Sequence, residues 1–517
     1  MRIGIDVGGT NTDAVLMDGD RVVASHKTST TPDVSSGIIT ALEQVLSGGR
    51  CAPGDITAVM IGTTHFTNAV IERRRLLEVA AVRIALPATQ ALPPMVDWPD
   101  DLRTALGNHA FFVHGGYEFN GIEISPIDED EIRELAGQIR ARELRSVALT
   151  SVFSPVNGEQ EQRAAEILLE ELPGVYLSLS SEIGRIGLLE RENATILNAC
   201  LAELAIAVVE SFRTALKQIG IDAPFFISQN DGTLMSSDFA ERYPILTFAS
   251  GPTNSMRGGA FLSGAENAVI VDIGGTTSDI GVLVKGFPRE AATEVEIADV
   301  RTNFRMPDII SIGLGGGSLV DEDSVGPQSV GYELTTKALV FGGETLTATD
   351  VAVAAGLVSI GDPSRVEHLD HDLVDRARNT IRAMIERGID RIKTSADPVP
   401  VVLVGGGTVL LGHELAGASQ IIKPQHASVA NAIGAAIAQA GGEVDHVYSL
   451  DGTSREAVLA EAREDAIAKA IAAGATADTV EIVEVDELPL TYLPGNAIRF
   501  RVKAVGELSL GALSVAP

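Results

Sequence analysis

The chain carries one eight-residue pattern twice. Asp6-x-Gly8-Gly9-Thr10-x-x-Asp13 follows Ile3-Gly4-Ile5, and Asp272-x-Gly274-Gly275-Thr276-x-x-Asp279 follows Val269-Ile270-Val271. In each copy a short apolar run ends on a carboxylate, passes through a glycine turn and re-emerges as a second apolar run, which predicts a strand-turn-strand hairpin. After the first copy, Asp18-Gly19-Asp20 separates two further apolar runs, and Asp-Gly in that setting extends the hairpin into a three-stranded meander. A pattern of this spacing, repeated on matching strand contexts, implies two structurally similar lobes in one chain.

Between the copies the periodicity alternates. Residues 128–142 and 158–172 read as amphipathic helices, each followed by an apolar strand such as Ser146 to Thr150, the signature of a parallel or mixed sheet covered on both faces. A third glycine loop, Gly405-Gly406-Gly407-Thr408, follows the apolar run Val401 to Val404. Beyond Gly441-Gly442 the composition shifts to an Ala/Glu-rich helix over 453–473 and two strands, 479–485 and 498–504. The expected division is a first lobe over 1–190, a second over 191–440 and a small C-terminal α+β domain over 441–517.

A strand that ends in Asp-x-Gly-Gly-Thr suits phosphate binding, because glycines let the backbone approach an anion and the turn N–H groups and threonine hydroxyl donate to it. A carboxylate at the strand end holds Mg²⁺ through water, as that ion prefers. Asp6 and Asp272 are therefore the expected organisers of Mg²⁺, with Gly8, Gly9, Thr10, Asn11, Gly274, Gly275, Thr276 and Thr277 on the phosphates of ATP. Asp13 and Asp279, on the return strands, are expected near the cleft, orienting the metal shell or the substrate, with a structural cap as the rival reading. The Gly315-Gly316-Gly317 loop suits close approach to nucleotide or substrate, with a hinge as its rival. Gly405, Gly406 and Gly407 are placed where adenosine rests. Two such turns across a cleft would grip a triphosphate from both sides.

Composition removes other classes. Lys plus Arg number 39 against 70 Asp plus Glu, a formal charge of −31, which repels nucleic-acid backbones and anionic membranes. The two cysteines, Cys51 and Cys200, show no metal or disulfide spacing. The acidic residue in Met1-Arg2-Ile3-Gly4-Ile5-Asp6 argues against a signal peptide, and no apolar run reaches membrane-span length. A cytoplasmic protein is expected.

The order of phosphate loop, second phosphate loop and adenosine loop resembles the acetate kinase, sugar kinase, Hsp70 and actin superfamily. Within it the chain is similar to the ATP-binding A-type subunits of the hydantoinase/oxoprolinase family. Gly62-Thr63-Thr64-His65-Phe66-Thr67-Asn68-Ala69-Val70-Ile71-Glu72-Arg73 resembles that family's GTT-x-x-TNA-x-x-ER segment, and Gln229 to Ser236 its QSDGGLMS. Ser250-Gly251-Pro252 matches its SGP turn, Ser311 to Ser318 its TIGAGGGS loop, and Thr347 to Asp350 the run after it. The chain departs from the family in a short Gly121 to Ile124 segment, in a shortened stretch from Ser318 to Thr347, and in His65, which replaces an aliphatic residue.

The resemblance implies two duplicated ribonuclease H-like lobes around an ATP cleft. It also implies an ATP-dependent amidohydrolase subunit: the γ-phosphoryl group goes to the carbonyl oxygen of a lactam, hydantoin or oxoproline-like amide, and a B-type partner completes hydrolysis. Assembly into an oligomer is expected. A polar wall of Thr63, Thr64, Thr67 and Asn68 is the expected acceptor pocket, with an N-capped helix start as its rival, and His65 is expected to contact substrate or protonate a leaving group, with a structural role as its rival. The alternatives are a small-molecule kinase, which needs no partner, and an ATP-dependent reactivase or chaperone. The Glu367-His368-Leu369-Asp370-His371-Asp372 run reads as a polar turn before a helix rather than a metal cluster, and Cys200 as packing.

Overall fold

A computed structural model describes all residues except 10, 30–33, 292–294, 304–305, 492–495 and 510–517. The opening forms the expected meander: β1 (Arg2–Val7), β2 (Asn11–Asp18) and β3 (Arg21–Ser29) are consecutive antiparallel strands. β4 (Ala58–Thr63) then returns parallel to β1. The chain next leaves the sheet to build an inserted layer of four parallel strands, β5 (Val79–Leu86), β6 (His109–His114), β7 (Ser146–Ser151) and β8 (Tyr176–Leu179), in the order β6-β5-β7-β8. Helices Glu129–Ala141 and Glu159–Glu171 cover this layer with faces that bury Ile132, Leu135 and Ile139 and Ala164, Ile167 and Leu168.

β9 (Phe225–Ser228) rejoins the first sheet parallel to β4, and β10 (Leu234–Ser236) turns back on β9. The sheet thus runs past the boundary expected at 190. It also takes in the C-terminal strands: Ala440–Tyr448 meets β10 and pairs antiparallel with Ile498–Gly506, which pairs with Glu481–Pro489. Helix Arg455–Ala472, N-capped by Ser454, packs Val458, Ala462, Ala466 and Ala470 against those strands in a core of their own. Strands Ala440–Tyr448, Glu481–Pro489 and Ile498–Gly506 thus continue the first lobe's sheet.

The second lobe repeats the plan of the first. β11 (Ala268–Ile273) and β12 (Ser278–Val284) form the hairpin, and strand Val399–Val404 runs parallel to β11 as β4 does to β1. Val269, Val271, Ile273, Val401 and Leu403 bury one face against helix His371–Ile392 through Ile381, Ile385 and Ile389. Asp370 caps that helix by accepting from the Asp372 N–H at 3.3 Å, so the His368 to Asp372 run is a helix start. Among the described residues no single helix is long and apolar enough to cross a membrane. Leu188–Cys200 and Ala202–Ile219, bent by 51°, pass such a test only as a pair and contribute to the first lobe's core.

Candidate functional site: a carboxylate cleft between two glycine turns

In both hairpins the two carboxylates of the repeat stand directly opposite one another: Asp6 pairs with Asp13 across β1 and β2, and Asp272 with Asp279 across β11 and β12. Antiparallel partners lie on the same face, so each lobe presents a carboxylate pair at the end of its first strand. The lobes face each other across a cleft lined by Asp6, Gly8, Gly9, Asn11 and Asp13 on one side and by Asp272, Gly274, Gly275, Thr276, Gly405 and Gly406 on the other. Lys27, Ser255 and Asn431 also line it.

The first pair is buried, with Asp6 5 % and Asp13 2 % exposed. Lys27 Nζ lies 2.6 Å from Asp13 Oδ1 and 2.7 Å from Oδ2, and the Asn431 amide donates to Asp6 Oδ2 and Asp13 Oδ2, both at 2.9 Å. Asp6 Oδ1 receives no hydrogen bond among the described residues, although the Asn254 carboxamide lies near enough to favour its ionised form. Burial pushes the Asp6 carboxyl up to about 7, with the charges of Asp13 and then Asp272 adding to it against the amides of Asn431 and Asn254. Asp272 is also raised, first by burial, with Ser255 and Lys27 opposing. Asp279 is raised to about 6 by burial while it accepts a short bond from the Ser311 hydroxyl.

Asn431 arrives from helix Ala430–Ile437, and glycine brings it there. A Cβ on Gly258 would lie 1.8 Å from the Ala430 carbonyl oxygen, and one on Gly434 would lie 1.9 Å from that of Asn254. Helices Ser250–Ser263 and Ala430–Ile437 therefore touch backbone to backbone, which sets Ser255 and Asn431 side by side at the cleft. Gly405 serves the second turn: at φ +87°, its added Cβ would fall 2.3 Å from Asp272 Oδ1.

Several expected residues sit elsewhere. Gly315, Gly316 and Gly317 are behind the second turn: the N–H groups of Gly316 and Gly317 donate to the carbonyls of Gly274 and Gly275 at 3.0 and 2.7 Å. The glycine density serves this backbone-to-backbone brace, since a Cβ on Gly315 would lie 2.5 Å from Gly275 C. Gly407 is buried beneath Ile273, Thr277 is solvent-exposed, and neither lines the cleft. Asp279 also lies outside the lining, and Thr10 is outside the described residues. The Thr63 to Asn68 segment forms a second layer around the first turn. Thr64 donates to the Val7 carbonyl at 3.3 Å, and the Asn68 amide points toward Gly9 and donates to Thr64 Oγ1 at 3.4 Å. His65 bonds Thr63 through Nδ1 at 2.6 Å, and burial, reinforced by Arg75, lowers it to about 4, so its imidazole is neutral.

Lys27 and Asn431 are site residues that the motif does not contain. A plain Asp-Gly hairpin would set Lys27 opposite Thr12. A bulge between Leu16 and Met17 shifts the register by one and sets it opposite Asp13.

The cleft fits Mg²⁺ with a polyphosphate on observations of its own. A buried carboxylate oxygen on Asp6 has no donor among the described residues, two carboxylates stand at equivalent strand ends, and Gly8, Gly9, Gly274, Gly275, Gly405 and Gly406 bring backbone to the cleft beside polar side chains. Among the described residues no three acidic, histidine or cysteine side chains gather into a direct metal cage, and Mg²⁺ keeps most of its waters.

Residues 2–172 match the hydantoinase/oxoprolinase N-terminal region and residues 191–393 the hydantoinase/oxoprolinase domain. The chain belongs to the hydantoinase/oxoprolinase family. It is 27 % identical over 395 residues to the caprolactamase subunit alpha of Pseudomonas jessenii, covering 70 % of this chain and 55 % of that one. To the acetophenone carboxylase gamma subunit of Aromatoleum aromaticum it is 28 % identical over 397 residues, covering 69 % and 53 %. The chain spans about half the length of these curated relatives. Among solved structures, the ATP-dependent caprolactamase from Pseudomonas jessenii superposes with a TM-score of 0.78 at 20 % identity, covering 98 % of this chain and 88 % of that one. A nucleotide-free acetone carboxylase does so with 0.66 at 20 %, covering 100 % and 89 %. These two share the fold of duplicated actin-like lobes.

Proposed function

We propose that the chain binds Mg-ATP in the interlobe cleft and directs the γ-phosphoryl group onto the carbonyl oxygen of a lactam, hydantoin, oxoproline-like or related amide, which a B-type partner subunit then hydrolyses. The observation that carries this reading is the pair Asp6 and Asp272, set at equivalent strand ends on opposite walls of one glycine-lined cleft. Bound Mg²⁺ and triphosphate would supply charge neutralisation and an electrophilic phosphorus.

The chain's residues do the positioning. Asp6 and Asp272 would hold the ion's water shell, and the turns at Gly8-Gly9 and Gly274-Gly275 would offer backbone donors to phosphate oxygens. Lys27 balances Asp13, so the first lobe presents Asp6 rather than two unpaired carboxylates. Asn431 bridges Asp6 and Asp13 with the two protons of its amide, and Gly405 leaves room for Asp272. An amide resists water because resonance stabilises it, and phosphorylating its oxygen turns that oxygen into a good leaving group. Positioning and charge stabilisation are what an enzyme contributes to such a transfer. The names of the relatives support the choice of substrate class and of a partner, since two are called subunits and one a caprolactamase. The same reading places the chain in a cytoplasmic assembly.

The test is Mg²⁺-dependent ADP release by the purified chain across hydantoins, oxoproline, other lactams, ketones, and hydroxy and carboxylic acids, with Asp272→Ala as control. Stimulation by a cyclic amide that Asp272→Ala abolishes is the expected result. A stable phosphorylated alcohol or carboxylate would instead make the chain a kinase, and stimulation by protein alone a remodelling ATPase.

A further inference from the structure

One cation stands among the described residues that line the carboxylate cleft. Asp6, Asp13 and Asp272 make the walls acidic, and Lys27 carries the positive charge set against them. The cross-strand register places Lys27 on β3 opposite Asp13 on β2. The two differ in exposure, since the Asp13 side chain is 3 % exposed and that of Lys27 36 %. The carboxylate is therefore fixed in the wall while the ammonium reaches the open space. The Lys27 charge also acts across that space, where it favours the ionised form of Asp272 on the opposite lobe.

An ammonium has three N–H donors. Lys27 Nζ faces the two oxygens of Asp13 at 2.6 and 2.7 Å, and no other partner of Nζ lies among the described residues. At most two donors are spent there, which leaves one for the cleft. A polyphosphate between these walls meets three carboxylates, while the backbone N–H groups of the glycine turns offer it only partial charges. Bound Mg²⁺ offsets part of this repulsion, and Lys27 is the side chain placed to offset more. Phosphoryl transfer needs that charge at the terminal phosphorus, whose equatorial oxygens carry the charge of the transition state. Lys27 rises from the first lobe, and Gly405 and Gly406 from the second. A nucleotide with its adenosine end against those glycines points its terminal phosphoryl group toward Lys27.

We propose that Lys27 binds the γ-phosphoryl group of ATP through the N–H that Asp13 leaves open, and stabilises that group during its transfer. The assignment rests on the cleft reading given above. In the transfer the bond between the γ-phosphorus and the β,γ-bridging oxygen breaks, its electron pair leaving on ADP, as the phosphorus bonds the acceptor oxygen; Lys27 keeps its protons and supplies charge. A counter-ion to Asp13 and nothing more would not distinguish one nucleotide from another. Calorimetry with Mg-ADP and with Mg-AMPPNP, a non-hydrolysable ATP analogue, separates the two roles. Lys27→Met is expected to weaken AMPPNP about tenfold or more beyond its effect on ADP, the range of a hydrogen bond to a charged group, and Lys27→Arg to keep most of the difference. Because Lys27→Met strands the buried Asp13, a second pair, Asp13→Asn against Asp13→Asn/Lys27→Met, is measured in the same way, and the same selective loss is expected. Equal weakening of the two nucleotides in that second pair, or none, overturns the assignment, and the cleft reading stands if the wild type binds both. A wild type that binds neither nucleotide overturns the cleft reading and the assignment together.

Discussion

Replacing Asp6 by asparagine is expected to make the nucleotide-free protein more stable, and increasingly so as pH rises. Asp6 is 5 % exposed, and burial with the nearby Asp13 and Asp272 charges raises its carboxyl from the ordinary 3.8 to about 7. Between those values the folded chain keeps a proton that the unfolded chain has released. That contribution to stability is full below 3.8 and is lost progressively as pH rises to about 7. At about 1.4 kcal/mol per pH unit, ionising Asp6 in the folded state costs roughly 4 kcal/mol at high pH. The asparagine side chain is neutral throughout and keeps the shape that accepts from Asn431. Urea unfolding of wild type and Asp6→Asn should show the variant ahead by ~1.5 kcal/mol near about pH 5 and by ~4 kcal/mol near about pH 8.5, while Mg-ATP binding is lost. A stability difference that stays flat between those pH values, or a variant weaker at the higher one, would refute the assignment of Asp6 as a destabilised buried carboxylate held for function.

Three further outcomes follow from packing. Gly258→Ala forces a Cβ to within 1.8 Å of the Ala430 carbonyl and should cost about 1–3 kcal/mol in urea unfolding, with weaker Mg-ATP binding in calorimetry because the displaced helix carries Asn431. Arg83, 0 % exposed, binds Glu192, 1 % exposed, through Nε at 2.8 Å; Arg83→Met should cost ~3–5 kcal/mol by stranding that carboxylate, and adding Glu192→Met should recover much of the loss. Cys200 is fully buried, and burial raises its thiol, whereas Cys51 is partly exposed; alkylation followed by mass spectrometry should label Cys51 first and Cys200 only on unfolding.

The repeat made the carboxylate hairpins legible because their spacing fixes both the strand ends and the cross-strand pairing of Asp6 with Asp13 and Asp272 with Asp279. Lys27 was hidden by a single-residue bulge, which no local rule places. Asn431 was hidden by distance, since it reaches Asp6 from the far end of the chain through two helices in glycine contact. The Gly315 to Gly317 loop is ambiguous in sequence for a physical reason: a run of glycines suits a ligand and suits another backbone equally well, and here Gly316 and Gly317 donate to the Gly274-Gly275 turn. Period-two alternation in residues 498–504 marked a strand, but not that its sheet would join the first lobe through Leu234 and Ala440.

The claim that the cleft transfers a phosphoryl group to an amide oxygen is tested most directly by positional isotope exchange, with ATP carrying ¹⁸O at the β-nonbridging positions. Reversible transfer frees the β-phosphate to rotate before ATP re-forms, so label should scramble into the β,γ-bridge when a cyclic amide is present, and neither without it nor with Asp272→Ala. Scrambling that ignores the amide, or none with any amide while Mg-ATP binds, would contradict it.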